Sequence, residues 1–201
     1  SSDPPGVARA MVAAKDADLA VLTVGIDNSV CNEGRDRSYT HLPPGQDALL
    51  NSTLALNKRT LIVLTNGGQL SIDAAKEDAV QARATGADHD THKASASAAI
   101  IEAFYPGESG GTSIAEAIFA INGYNSFGKL AYTIYPSSYV NDVELRSMNM
   151  SAPPGRSYRY YVGQALWPAF YGISYTTFSL STEHRQPESG PETLLVSTDP
   201  V

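Results

Sequence analysis

Leu19-Ala20-Val21-Leu22-Thr23-Val24 runs without a charge into Gly25-Ile26-Asp27-Asn28-Ser29-Val30-Cys31-Asn32-Glu33-Gly34-Arg35-Asp36-Arg37. The first six residues read as a buried strand, and the rest as the loop at its carboxyl end. Ligands of open α/β sheets bind outside the carboxyl ends of strands. The loop gathers three carboxylates, two arginines and the single cysteine of the chain.

Working outward, the same pattern recurs. Leu61-Ile62-Val63-Leu64-Thr65 is a second buried strand, followed by Asn66-Gly67-Gly68. Ala99-Ile100-Ile101-Glu102-Ala103-Phe104 is a third, followed by Tyr105-Pro106-Gly107-Glu108-Ser109-Gly110-Gly111. Helical spacing predicts helices over Ala8–Asp18, Gln46–Leu56, Ile72–Ala84 and Thr112–Ile121. Leu130–Tyr135 alternates like a strand and is stopped by Pro136. Strands alternating with helices predict a three-layer α/β sandwich with a largely parallel sheet. The Tyr-, Pro- and Gly-rich stretch from Met148 to Phe178 reads as an irregular wrap. Residues 1–180 are thus one domain, 85–98 a polar surface insertion, and 181–201 a linker or arm.

With 201 residues and 42% hydrophobic side chains, the chain has enough material for one sizeable core. A net charge of -7 argues against a nucleic-acid partner. No apolar run is long enough to span a bilayer, and no signal peptide opens the segment. One cysteine excludes an internal disulfide framework. Asn51-Ser52-Thr53 and Asn149-Met150-Ser151 are N-glycosylation sequons, which points to a secreted or cell-wall-associated protein.

The glycine-rich turn at 107–111 lacks the Lys-Ser/Thr of a P-loop and carries Glu108, which would repel phosphate. No Gly-x-Ser-x-Gly elbow follows a strand, so a serine hydrolase is a weak reading. His89 and His92 with Asp88 and Asp90 suggest a metal at first sight, but no rigid element orients them. We expect no metal and no cofactor. In the loop, Asp36 and Arg37 read as bracing groups. Glu33 reads equally as a structural carboxylate or as one that binds sugar hydroxyls or acts as an acid. Cys31 has no neighbouring histidine or lysine to make it a thiolate. Aromatics in Tyr158–Tyr161 and Trp167–Tyr175 read as packing anchors before they read as sugar platforms.

Taken in order, these segments resemble the C-terminal α/β-sandwich domain of glycoside hydrolase family 3, in its β-xylosidase and β-glucosidase-like branch. The resemblance is carried by the loop Gly25–Arg37, by Leu42-Pro43-Pro44-Gly45-Gln46, and by Leu61–Leu64 with Gly67-Gly68. It continues through Tyr105–Gly111, Pro154–Tyr161 and Tyr171–Phe178. It implies a two-domain retaining enzyme, with the aspartate nucleophile on an N-terminal barrel and the acid/base glutamate on the present domain. Asp27, Glu33 and Arg35 would then contact carbohydrate. The resemblance also implies that the acid/base glutamate belongs two residues before Glu33, where this chain has Cys31. A thiol is a weaker acid than a carboxyl and lacks its reach. Two expectations follow: a pocket-forming domain that is inactive without its barrel partner, or a degenerate module kept for carbohydrate binding or assembly. Either way the chain belongs in a larger assembly.

Overall fold

The computed structural model describes residues 5–56, 59–77, 98–125, 127–183 and 193–199. Its centre is a parallel sheet of β1 (Ala20–Gly25), β2 (Thr60–Thr65) and β3 (Ala98–Glu102), in that order. Register runs residue by residue from Ala20 opposite Thr60 to Gly25 opposite Thr65, and from Thr60 opposite Ala98 to Leu64 opposite Glu102. Parallel strands need long crossovers, and helices supply them. Helix α1 (Pro5–Asp16) leads into β1, and α2 (Pro44–Leu54) links β1 to β2. Helix α3 (Gly110–Ile118) follows β3. This is the α/β arrangement the strand-helix alternation predicts.

Side-chain chemistry explains the placement. The central strand β2 buries Ile62, Val63 and Leu64 on both faces, as an inner parallel strand must. Strand β1 buries Leu22 and Val24 on one face and leaves Val21 half exposed on the other. Helix α2 opens with Pro44 in its first turn, where the missing N–H costs nothing. It lays Leu50 and Thr53 inward, against β1. Leu22, Val24, Ile26, Leu42, Leu50, Ile62, Leu64, Leu70 and Ile72 form one core, with Trp167 packed on it. Ile62 is fully buried. Its replacement by Ala should cost about 3 kcal/mol, read as a lower urea midpoint at unchanged slope.

The helix expected over Ile72–Ala84 is seen at residues 73–77, and the remainder lies outside the described residues. The polar insertion lies outside them too, apart from Ala98, which opens β3.

The expected strand Leu130–Tyr135 is not one. It makes a single bridge, between Ile134 and Trp167. Backbone bonds form at both ends, Ile134 N–H to Trp167 O (2.9 Å) and Phe170 N–H to Leu130 O (2.8 Å). Pro168 sits between those two contacts and has no N–H to give. Pro136 ends the segment on its other side, so alternation here yields two tethers in place of a ladder.

The wrap is irregular as expected, with one helical turn at Ser157–Tyr160. It packs Tyr161 edge-on against two aromatics that precede it, Tyr135 and Tyr139, which stack on each other at 3.9 Å between centroids. Burial, and then the neighbouring Tyr135, pushes the Tyr139 phenol up to about 12. The tail read as a linker or arm carries strand structure. β4 (Thr177–Glu183) pairs antiparallel with β5 (Thr193–Asp199) as a separate two-stranded sheet.

Candidate active-site loop

Strand β1 continues one residue past its end, because the Ile26 N–H donates to Thr65 O at 3.0 Å. Gly25 permits this approach: a Cβ there would lie 1.9 Å from Thr65 O. Gly25→Ala must therefore push β1 off β2 just where the loop departs. We expect a loss of about 3 kcal/mol, measured by thermal unfolding.

The loop then braces itself. The Asp27 carboxylate accepts from the Ser29 N–H (2.8 Å) and hydroxyl (2.5 Å). These bonds, the hydroxyl's first, hold its carboxyl below the ordinary range. The Asp27 carbonyl accepts from Val30 and Cys31 N–H at 3.0 and 3.1 Å. Asn32 and Arg35 exchange a pair of backbone bonds around Gly34, whose φ is 85°. Arg35 Nη1 donates to Ser29 O at 2.6 Å, and Arg37 Nη2 to Gln69 O at 3.0 Å. Both arginines thus serve backbone carbonyls, and Asp36 stands exposed with no ion pair among the described residues.

A cleft of about 380 Å³ opens at this end of the sheet, lined by Asp27, Asn28, Ser29 and Tyr105. Tyr105 belongs to the turn after β3. Its hydroxyl donates to Ile26 O at 3.2 Å, and its ring lies where any Cβ on Gly67 would be. Of the sequence-derived candidates, Asp27 reaches this cleft. Cys31 is half-buried, while Glu33 and Arg35 are exposed, and none of the three lines the cleft. Asn51 and Asn149 are both exposed. The Asn51 amide donates to Asp47 O at 2.9 Å, and Asn149 Oδ1 accepts the Ser151 hydroxyl at 2.9 Å.

Behind the loop lies a group that sequence reasoning missed. Glu102 ends β3 with both carboxylate oxygens shut from solvent and without a well-formed hydrogen bond. Burial pushes its carboxyl up to about 7, against the opposing pull of the Phe104 N–H and the Asn66 amide. Arg37 Nε and Nη1, Tyr132 Oη and Asn66 Oδ1 are also buried without partners. Burial, and then the Glu102 charge, pushes the Tyr132 phenol up to about 12, eased by Arg37. These four residues form one polar knot between the loop and the carboxyl ends of β2 and β3. The available signal was a carboxylate closing an apolar strand run. The His89/His92 pair lies outside the described residues. Within them, no three His, Cys, Asp or Glu side chains come together as a metal site. No helix among the described residues is long and apolar enough to cross a membrane.

The sequence profile of the glycosyl hydrolase family 3 C-terminal domain matches residues 4–175. The chain belongs to glycoside hydrolase family 3. Among family 3 relatives, it is 38% identical over 180 residues to Beta-D-xylosidase 1 of Arabidopsis thaliana, covering 88% of this chain and 21% of that protein. It is 32% identical over 195 residues to the probable exo-1,4-beta-xylosidase bxlB of Aspergillus oryzae, covering 95% and 22%. Among solved family 3 structures, the exo-beta-xylosidase XlnD in complex with a xylobiose aziridine probe superposes with a TM-score of 0.72. It is 30% identical, over 91% of this chain and 22% of that one. The beta-glucosidase of Kluyveromyces marxianus in complex with glucose shares the fold, with a TM-score of 0.68 at 24% identity over 92% and 21%. The chain therefore spans about a fifth of the length of the relatives it matches.

Proposed function

We propose that this chain is the pocket-forming C-terminal domain of a secreted, retaining β-xylosidase-like glycosidase. The loop Gly25–Arg37 forms one wall of the sugar site, and the nucleophile comes from a barrel elsewhere in the parent protein. The observation that carries this reading is the braced loop at the carboxyl end of β1, opposite Tyr105, in a chain aligned along most of its length with xylosidases. Asp27 and Asn28 offer acceptors and donors for sugar hydroxyls at the cleft, and the Tyr105 ring offers a face for a sugar. Retention needs two carboxyls about 5 Å apart, one of them the nucleophile supplied by the barrel. The isolated chain is therefore inactive.

The test is an assay of the parent protein and of this chain on aryl β-D-xylosides, with the product anomer followed by NMR. Turnover with retention by the parent and none by the chain is expected. Turnover by the chain alone, or inversion by the parent, would overturn the proposal. Exposure of Asn51 and Asn149 supports glycosylation and hence secretion.

A second reading is favoured by one residue. Cys31 stands where the family resemblance puts the proton donor. On this reading the domain is catalytically degenerate and serves carbohydrate binding or assembly. The parent's rate on glycosides separates the two.

A further inference from the structure

We propose that Glu102 is a positioning residue for Tyr105, the aromatic side of the cleft, and acts on it through the backbone turn at Phe104. This rests on the reading of that cleft as a sugar site.

Tyr105 is held against the loop by two contacts. Its hydroxyl donates to Ile26 O at 3.2 Å, and its ring lies so near Gly67 that a Cβ there would meet it at 2.4 Å. The side chain is still 55% exposed, so it stays open to a ligand. Phe104 turns the chain into this position by taking the left-handed conformation, at a φ of 52°. A bulky residue is strained there, and keeps that conformation only where its surroundings over-determine it.

The surroundings of Phe104 act group by group. Ala103 N–H donates to Leu64 O at 2.9 Å, and Phe104 O accepts the Asn66 N–H at 3.0 Å, which ties the turn to β2. The Phe104 ring meets Tyr132 edge-on, with 5.9 Å between centroids. The Phe104 N–H faces the carboxyl of Glu102, two residues back along the chain.

That carboxyl has two ways to be satisfied. Ionised, it draws on the Phe104 N–H and the Asn66 amide, and both favour the charge. Protonated, it becomes a donor, and Asn66 Oδ1, buried and unpartnered, is an acceptor for its proton. The first state grips the Phe104 N–H and the second releases it. Release lets the strained turn relax, and Tyr105 moves with it. Burial raises the carboxyl to about 7, which sets the balance between the two states. The other titratable groups here are Arg37, from the end of the loop, and Tyr132, which feels the charges of both Glu102 and Arg37. Tyr132 is pushed up to about 12, so it stays neutral while Glu102 titrates.

The first test is NMR of this chain between pH 5 and 9, on wild type and Glu102→Gln. In wild type the Phe104 amide and the Tyr105 ring protons should shift together, with one midpoint near 7. In Glu102→Gln, which reproduces the protonated carboxyl, both should stay level. A Phe104 amide that does not titrate overturns the proposal, and so does one that titrates while the Tyr105 ring stays still. The second test is kinetic, on the parent protein with xylobiose. Glu102→Gln should raise KM about tenfold at pH 8 and change kcat far less. The ratio of the two KM values should close to about one at pH 5, where wild type is protonated as well. Adding Phe104→Gly, which removes the strain, should restore KM at pH 8. A ratio equal at pH 5 and pH 8, or no rescue by glycine, would make Glu102 a general structural residue and overturn the proposal. The NMR is read without substrate, so an inactive parent sinks the glycosidase reading and leaves the positioning of Tyr105 standing.

Discussion

Glu102→Gln should stabilise the protein above pH 7 and leave it unchanged near pH 4. The Glu102 carboxyl is raised from 4.5 to about 7 by burial. A group raised in this way holds its proton in the folded state while the unfolded chain releases it. Its favourable contribution is full below pH 4.5 and is lost as pH climbs towards 7. Above that, the folded state carries an ionised carboxylate among buried groups that do not fully pair it. Glutamine occupies the same space without a charge. The gain at pH 8 should be about 2 kcal/mol, after discounting for the solvent that still reaches part of this side chain. Urea unfolding of both proteins at pH 4, 6 and 8 measures it. Wild type should lose stability across that range, and the variant should stay nearly level. Parallel curves would show that Arg37 and Glu102 form a compensated pair and that the carboxyl titrates normally.

The same residue shows where sequence reading stops. Strands β1, β2 and β3 were legible because each is a short apolar run closed by a polar or glycine-rich turn. Their parallel order followed from the helices between them. The loop at 25–37 was legible for the same reason: it sits at a strand end and concentrates charge. Glu102 was not legible. Its character depends on burial and on Asn66, and its charge is felt by Tyr132, groups that come from other parts of the chain. Only folding brings them to the end of β3. Leu130–Tyr135 failed in a different way. Its alternation is real, and Ile134 is buried, but a ladder also needs a partner able to donate along its length, and Pro168 interrupts that partner. The pattern of one segment cannot report on the backbone chemistry of another 35 residues away. A carboxylate-arginine pair was the natural guess, yet Arg35 and Arg37 reach carbonyl oxygens, which are fixed by the turns and the strand ends around them.

Cys31→Glu in the complete parent protein should raise its rate on glycosides by two to four powers of ten, the usual worth of a positioned general acid. The Cys31 N–H is held by Asp27 O at 3.1 Å, so its backbone is fixed, and its side chain is half-buried. The gain should depend on the leaving group. A nitrophenolate departs with little protonation, so aryl xylosides should respond modestly. An alkyl or sugar alkoxide cannot leave without a proton, so xylobiose should show the full effect. A new alkaline limb should appear in the pH dependence of kcat/KM for xylobiose, marking the added acid. Glu33 provides the control. It is exposed and lies two residues away, so Glu33→Gln in the Cys31→Glu background should preserve that limb if residue 31 is the donor. Loss of the limb in the double variant would move the acid role to Glu33. Wild-type parent that already cleaves xylobiose at the rate of the Cys31→Glu variant would show that the proton comes from another group and that Cys31 is a neutral replacement.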